Sequence, residues 1–329
     1  MENVRPLRFG ILGAAQIAPE AIVKPAIDLP EVEISAIAAR EPARAKEFAA
    51  GHRINRVLNS YQELVSDPEI DAVYNPLPNS LHYQWTIRAL EAGKHVLCEK
   101  PIASNSEEAA QMADAAKRSG RLLGEAFHYY YHPLAARVRE IMRSGVLGRL
   151  LELEAQFSVA LAPNNIRFDW TLAGGATMDL GCYALHWLRY FSGENLRVVS
   201  AKAVSGPPKI DVTMEAMLES ESGASARMFC SMASDARFWA SFQARGEKGE
   251  LTVANPLAPQ LGHSLKLRIG DDEKRETVAG ETTYRCQLRA FAAAVRGRGD
   301  FPTDGEQGIG NMRTIDAVYR ACGLPPRGA

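Results

Sequence analysis

Two groups of residues in this chain have the types and spacing to do chemistry. The first is His95-Val96-Leu97-Cys98-Glu99-Lys100-Pro101. A strand-like run leads into an acid, a base and a proline. Pro101 lacks a backbone N–H, so regular strand pairing should end beside it. Lys100 then stands at the carboxyl end of a strand, where open α/β sheets bind their ligands. A lysine is costly to bury unless paired or used, so the alternatives are a working amine and a surface Glu–Lys pair. The second group follows Gly174-Gly175. Asp179, Tyr183 and His186 lie at i, i+4 and i+7, and a helix from Ala176 onward would place them on one face. The paired glycines would let backbone approach a bulky ligand. Polar groups in such an apolar segment form either a binding set or a satisfied core network.

The elements that must position Lys100 come first in the chain. Leu7 to Leu12 reads as a buried strand, and Gly13-Ala14-Ala15-Gln16-Ile17-Ala18 runs on into a helix. This is a dinucleotide turn with alanines at its second and third glycine positions. Gly13, Ala15, Gln16 and Ile17 would face a pyrophosphate resting on free N–H groups at the helix start. A second strand, Val32 to Ala39, ends without the acid that binds the 2′-hydroxyl of NAD. Arg40 stands there instead, with Arg44 one helical turn on, which favours the 2′-phosphate of NADP over NAD. Further strands are expected at Asp71 to Asn75, in the Lys100 segment, and at Leu122 to Phe127. A helix around His82 to Ala92 follows Leu77-Pro78-Asn79. Another spans about Ser106 to Ser119, capped by Asn105 or Ser104. Strand and helix alternate, so residues 1–127 should form a doubly wound parallel sheet. One edge of it would gather Gly13, Arg40, Asn79, His82 and Lys100.

The pattern changes after about residue 147. Leu151, Leu153, Ala155, Phe157 and Val159 alternate with polar residues, and so do Ile210, Val212, Met214, Ala216 and Leu218. Segments 224–232, 238–244 and 265–269 alternate less cleanly. Such period-two runs indicate a mainly antiparallel sheet with one covered face. Helices at about Tyr284 to Arg296 and Gly305 to Ala321 close the chain, and Pro325-Pro326-Arg327-Gly328 is expected to be loose. The fold class is thus α/β plus α+β, with domains at residues 1–127 and 128–329.

Composition narrows the function. A net charge of -1 offers no field for nucleic acid or anionic membrane. No apolar run is long enough to span a bilayer, and residues 1–12 lack a secretory leader. Cys98, Cys182, Cys230, Cys286 and Cys322 are scattered and form no Cys-x-x-Cys pair, so no metal site is expected and a reducing cytoplasm fits.

Together, Glu99-Lys100-Pro101 and Gly174-Gly175-x-x-x-Asp179-x-Gly181-x-Tyr183 resemble the glucose-fructose oxidoreductase / inositol dehydrogenase (Gfo/Idh/MocA) family. The resemblance covers nearly the whole chain. It includes Pro78-Asn79-x-x-His82 and the closing Tyr284, Phe291 and Asp316-Ala317-Val318-Tyr319. It implies a Rossmann domain, then an open-sheet domain for substrate and assembly, with nicotinamide and substrate between them. Lys100 and Asp179 occupy the family's lysine and aspartate positions. Tyr183 stands where many members carry histidine, as in the glucose-fructose oxidoreductase and dimeric dihydrodiol dehydrogenase branches.

The implied reaction is hydride transfer to or from a carbinol carbon of a sugar, cyclic polyol or dihydrodiol, with NADP. Tyr183 would move the proton. Lys100 beside it would favour the phenolate and bind a substrate hydroxyl. Asp179 would bind a second hydroxyl or hold Lys100. His186 would touch substrate. Leu77, Pro78, Asn79, His82 and Glu99 would line the cofactor, and Arg167 and Trp170 would frame it or the pocket mouth. Members commonly form homodimers or homotetramers through the open sheet face. Two other readings keep the fold: a reductase of a non-sugar carbonyl or conjugated double bond, and a non-catalytic NADP-binding regulator.

Overall fold

A computed structural model gives the architecture. Elements are counted within residues 5–206 and 209–328, which it describes; the first four residues of the segment read for a leader lie outside them. The chain forms two compact units, Met1–His128 with Tyr284–Ile309, and Tyr129–Thr283 with Gly310–Ala329.

The first unit is built on β1 (Leu7–Leu12), β2 (Val32–Ala38), β3 (Arg56–Leu58), β4 (Ala72–Asn75), β5 (His95–Cys98) and β6 (Leu123–Glu125). They pair in the order β3-β2-β1-β4-β5-β6, all parallel. This is the doubly wound order, with its switch point where β1 meets β4. Both faces are covered, so the central strands read as apolar runs: Phe9, Ile11, Val73, Val96 and Leu97 are fully buried. The helix Ser106–Ser119 starts where Asn105 accepts hydrogen bonds from the Glu107 and Glu108 N–H groups. Such a cap stabilises a helix by about 1 kcal/mol.

The leading piece of the first unit ends within one residue of the expected boundary, but residues 284–309, expected in the second domain, also belong to the first unit. The helix Thr283–Val295 buries Leu288, Phe291 and Ala292 completely. Its Phe291 ring lies 5.6 Å from Phe9 on β1 and 5.3 Å, edge-on, from Phe301. The apolar stripe of this late helix belongs to the early sheet.

The second unit holds β7 (Leu150–Ser158), β8 (Leu196–Gly206), β9 (Ile210–Ser220), β10 (Ser225–Ser231), β11 (Trp239–Gly246), β12 (Gly249–Ala254), β13 (Ser264–Ile269) and β14 (Asp272–Glu276). The order is β14-β13-β12-β11-β7-β10-β9-β8, antiparallel except where β10 runs parallel to β7. One face carries Leu153, Ala155, Phe157, Met228 and Phe242, all buried. The helix Cys182–Ser192 lies on it, with Phe191 edge-on to Phe242 at 4.8 Å. The other face carries charge: Arg227 pairs with Glu154 at 3.1 Å and Glu215 at 2.6 Å, and Arg245 pairs with Glu152 at 2.6 Å. Exposed pairs of this kind contribute about 0–1 kcal/mol each, so they wet the face more than they stabilise it.

The stretch expected to be loose, Pro325 to Gly328, is anchored. The Arg327 side chain has no exposed surface and pairs with Asp211, which is equally buried. Proline, arginine and glycine in a row carry no local sign of this, since the Asp211 and Gly174 partners are far away in sequence. No helix among the described residues is long and apolar enough to cross a membrane.

Candidate active site

In the first unit the chain leaves β1 at Gly13, whose φ is +86°. The conformation favours glycine, and a Cβ there would also crowd Leu77 Cδ2 at 3.0 Å. The Gly13 N–H donates to Ala38 O at 2.7 Å, which ties this turn to the end of β2. Tyr61, which the sequence reading missed, accepts from the Arg40 N–H at 3.2 Å. Its hydroxyl also borders Gly13. The Arg44 guanidinium reaches Ala14 O at 3.5 Å, and the Arg40 side chain is 86% exposed. One guanidinium, that of Arg44, thus stands by the glycine turn, while that of Arg40 lies 3.6 Å from Glu41 in solvent, and no acid ends β2. This set fits a dinucleotide carrying a 2′-phosphate.

The loop after β4 is fixed by Asn75, a second residue missed in the sequence. Its buried amide donates to Thr86 Oγ1 at 3.1 Å and accepts from the Leu77 N–H at 3.4 Å. Pro78 then precedes the helix Asn79–Glu91. His82 is fully buried, with Nε2 2.7 Å from Leu77 O and Nδ1 2.9 Å from Pro101 O. The ring therefore clamps the loops after β4 and β5. Both nitrogens are thus engaged by backbone oxygens.

As expected, β5 ends at Cys98, just before Glu99-Lys100-Pro101. The Lys100–Pro101 peptide is cis. Glu99 is buried and accepts from the Tyr74 hydroxyl at 2.7 Å. Glu125 accepts from the Ile102 N–H at 2.9 Å. Lys100, half-buried, sits in a turn bordered by these two carboxylates. His128 is buried with its ring 4.0 Å from that of Tyr284.

Burial, reinforced by the positive charge of Lys100, pushes the His128 pKa down to about 3. Burial also lowers His82 to about 4, outweighing the carbonyl oxygens that favour its cation. Unfolded, each would titrate near 6.5. Below that pH the unfolded chain takes up protons that the folded chain refuses. The folded state should therefore lose about 1.4 kcal/mol per pH unit for each such imidazole as pH falls from 6.5 toward 4. Urea unfolding at a series of pH values measures this slope. His128→Asn should flatten it, and an unchanged slope in that variant would remove His128 from the account.

In the second unit the two glycines do something other than expected. A Cβ on Gly174 would lie 2.3 Å from Arg167 O. One on Gly175, whose φ is +136°, would lie 2.2 Å from Asp211 Oδ1. The space beside them is filled by the protein itself, so they serve internal packing rather than approach to a bulky ligand. The expected regular helix from Ala176 begins instead as a π-helical turn, Thr177–Gly181, before the α-helix Cys182–Ser192. The Cys182 N–H reaches back to Thr177 O, five residues away, as in a π-bulge.

The three polar residues meet different partners within this unit. Asp179 pairs with Arg167 at 2.6 Å. His186 is buried with Nδ1 2.5 Å from the Tyr129 hydroxyl, and burial drives its pKa well below the ordinary value. Tyr129, in a run of three tyrosines, gave no pattern by which to find it. Tyr183 is 5% exposed among aromatic rings: Phe157 at 5.7 Å, Trp187 at 6.0 Å and Tyr129 at 6.2 Å. Trp170 has the Arg327 guanidinium 4.4 Å from its ring centre. Chemically, this unit offers a carboxylate fixed by a guanidinium, able to accept hydrogen bonds from hydroxyl groups. It also offers a phenol in apolar surroundings, able to give or take a proton.

Comparison with known proteins matches residues 7–127 to the family model described as an oxidoreductase family with NAD-binding Rossmann fold. Residues 135–252 match the GFO/IDH/MocA C-terminal domain. The chain is 37% identical to D-xylose 1-dehydrogenase (NADP(+)) 2 of Haloferax volcanii, over 96% of this chain and 97% of that one. It is 33% identical to dTDP-3,4-didehydro-2,6-dideoxy-alpha-D-glucose 3-reductase of Saccharopolyspora spinosa, over 97% and 99%. Among solved structures, aldose-aldose oxidoreductase from Caulobacter crescentus, complexed with glycerol, superposes with a TM-score of 0.89 at 25% identity, covering 97% of this chain and 98% of that one.

Proposed function

Since the chain belongs to the Gfo/Idh/MocA oxidoreductase family, we propose that it is an NADP-dependent enzyme moving a hydride between nicotinamide and a secondary alcohol or carbonyl of a sugar, cyclic polyol or dihydrodiol. The observation that carries this reading is the pairing on one helical segment of a buried phenol, Tyr183, with an ion-paired carboxylate, Asp179. Relatives named for xylose and for a deoxysugar nucleotide support the substrate class.

The nicotinamide supplies the hydride chemistry, and the protein supplies alignment and proton handling. Gly13, Ala15, Gln16 and Ile17 would hold the phosphates, and Arg40 and Arg44 the 2′-phosphate. Tyr183 takes the hydroxyl proton in oxidation and returns it in reduction. Lys100 supplies a positive charge at the carboxyl end of β5, the sheet edge where ligands of this fold bind. Asp179, oriented by Arg167, binds a neighbouring hydroxyl. The open sheet face serves assembly into a dimer or tetramer, which a monomeric mass by light scattering would overturn.

The test is an NADP(H)-coupled absorbance screen over aldoses, deoxysugars, inositols, dihydrodiols and dicarbonyls. Turnover on a hydroxyl-rich member supports the reading. Turnover confined to enones or unhydroxylated carbonyls would favour the second reading, to which the aromatic surroundings of Tyr183 lend weight. Cofactor binding without turnover across the panel would make the protein a regulator. Arg40→Ala should reduce the preference for NADP over NAD by about tenfold, the scale of one charge-assisted hydrogen bond to a phosphate. The ratio of kcat/KM for the two cofactors measures this, and a parent preference for NAD that the substitution leaves untouched would reject the phosphate role.

A further inference from the structure

We propose that Arg327 is a positioning residue whose guanidinium locks the Gly174–Gly175 turn and, through it, the segment carrying Asp179 and Tyr183. The consequence for turnover rests on the enzymatic reading above; the lock itself does not. Arg327 donates from Nε to Gly174 O at 2.6 Å and from a terminal nitrogen to Asp211 Oδ1 at 2.5 Å. Its guanidinium carbon is 4.1 Å from the centre of the Tyr319 ring and 4.4 Å from that of Trp170. Both partners of the ion pair have no exposed side-chain surface.

The network continues into the candidate site. Asp211 accepts from the Thr177 N–H at 2.7 Å with its second oxygen and from the Tyr319 hydroxyl at 3.0 Å with its first. Thr177 opens the π-helical turn that contains Asp179. The Asp179 N–H donates to Gly175 O at 3.0 Å, and the Gly175 N–H donates to Arg167 O at 2.9 Å. Arg167 closes the loop through its ion pair with Asp179. Each backbone group of the turn is thus fixed from a different direction, and no side-chain atom fits beside Gly175.

A purely stabilising role is a weak explanation for such a pair. Apolar residues of similar volume commonly stabilise a fold as well as a buried ion pair does. What they cannot supply is directional contact with a chosen carbonyl, which the planar guanidinium fork provides. The geometry of the turn is therefore what the arginine contributes.

Two variants test this. Arg327→Lys keeps the charge opposite Asp211 and loses the fork. The double variant Arg327→Met with Asp211→Leu removes both charges and keeps the volume. Amide hydrogen exchange across residues 174–183, NADPH binding by fluorescence, and kcat and KM are measured on the full chain. Exchange in that segment should quicken, kcat should fall on the order of tenfold or more, as small misplacements of reacting groups do, and NADPH affinity should be unchanged. Unchanged exchange in both variants would overturn the lock. Quickened exchange with parental kcat would overturn its positioning role. Global loss of protected amides in both variants would make the arginine a structural staple only. If the parent turns over nothing on the panel, the enzymatic reading fails, and the exchange data alone decide the lock.

Discussion

Tyr183→Phe is expected to lower kcat about a hundredfold or more while leaving NADPH affinity unchanged, the usual scale for a positioned acid–base group. Phenylalanine keeps the ring and its contacts with Phe157, Trp187 and Tyr129. Only the hydroxyl is lost, so packing should survive and the effect should fall on chemistry. An unassisted phenol titrates near 10 and would be a poor base at neutral pH. The parent pH profile of kcat should therefore contain a limb that the variant lacks. Steady-state rates across pH, with NADPH titrated separately by fluorescence, give both readouts. Parental turnover in the variant would exclude the proton-transfer role, and a change confined to KM would make Tyr183 a binding residue.

Asp211→Ala should destabilise the fold by about 3–5 kcal/mol, the cost of leaving a buried charge without its partner. The carboxylate is the counter-ion of fully buried Arg327 and also serves the Thr177 N–H and the Tyr319 hydroxyl. Alanine strands all three donors where water does not reach. Urea unfolding followed by tryptophan fluorescence measures the loss. A change below about 1 kcal/mol, the scale of an exposed ion pair, would show that the site relaxes to admit solvent.

Much of the first unit is legible in the sequence because its signals are local. Apolar runs, the glycine turn, Pro101 and the Asn105 cap each sit beside the feature they specify. Four strands escaped notice: β12, whose Leu251 and Val253 do alternate, and three with blurred signals. In β8 the register shifts between Val198 and Ser200, which breaks the two-residue alternation. Strand β14 is charged at every position, Asp272-Glu273-Lys274-Arg275-Glu276, a composition that guards an edge and erases periodicity. Strand β3 has only three residues. The candidate site was legible in residue type and less so in geometry. Asp179, Tyr183 and His186 follow helical spacing, yet the segment opens as a π-helical turn whose Thr177 N–H is held by Asp211, far along the chain. Arg327 was hidden for the same reason: its order comes from Gly174, Asp211, Trp170 and Tyr319, none of them a sequence neighbour.

The discontinuity of the first unit has a consequence for synthesis. Phe9 needs Phe291, and Phe291 needs Phe301, to bury their rings. A nascent polypeptide emerging from the ribosome has made all six strands of the parallel sheet long before those aromatic residues exist. During that interval one flank of the sheet lacks its cover, the kind of surface that invites chaperone capture or aggregation. The half of the protein translated first is thus completed only when nearly everything else has been made.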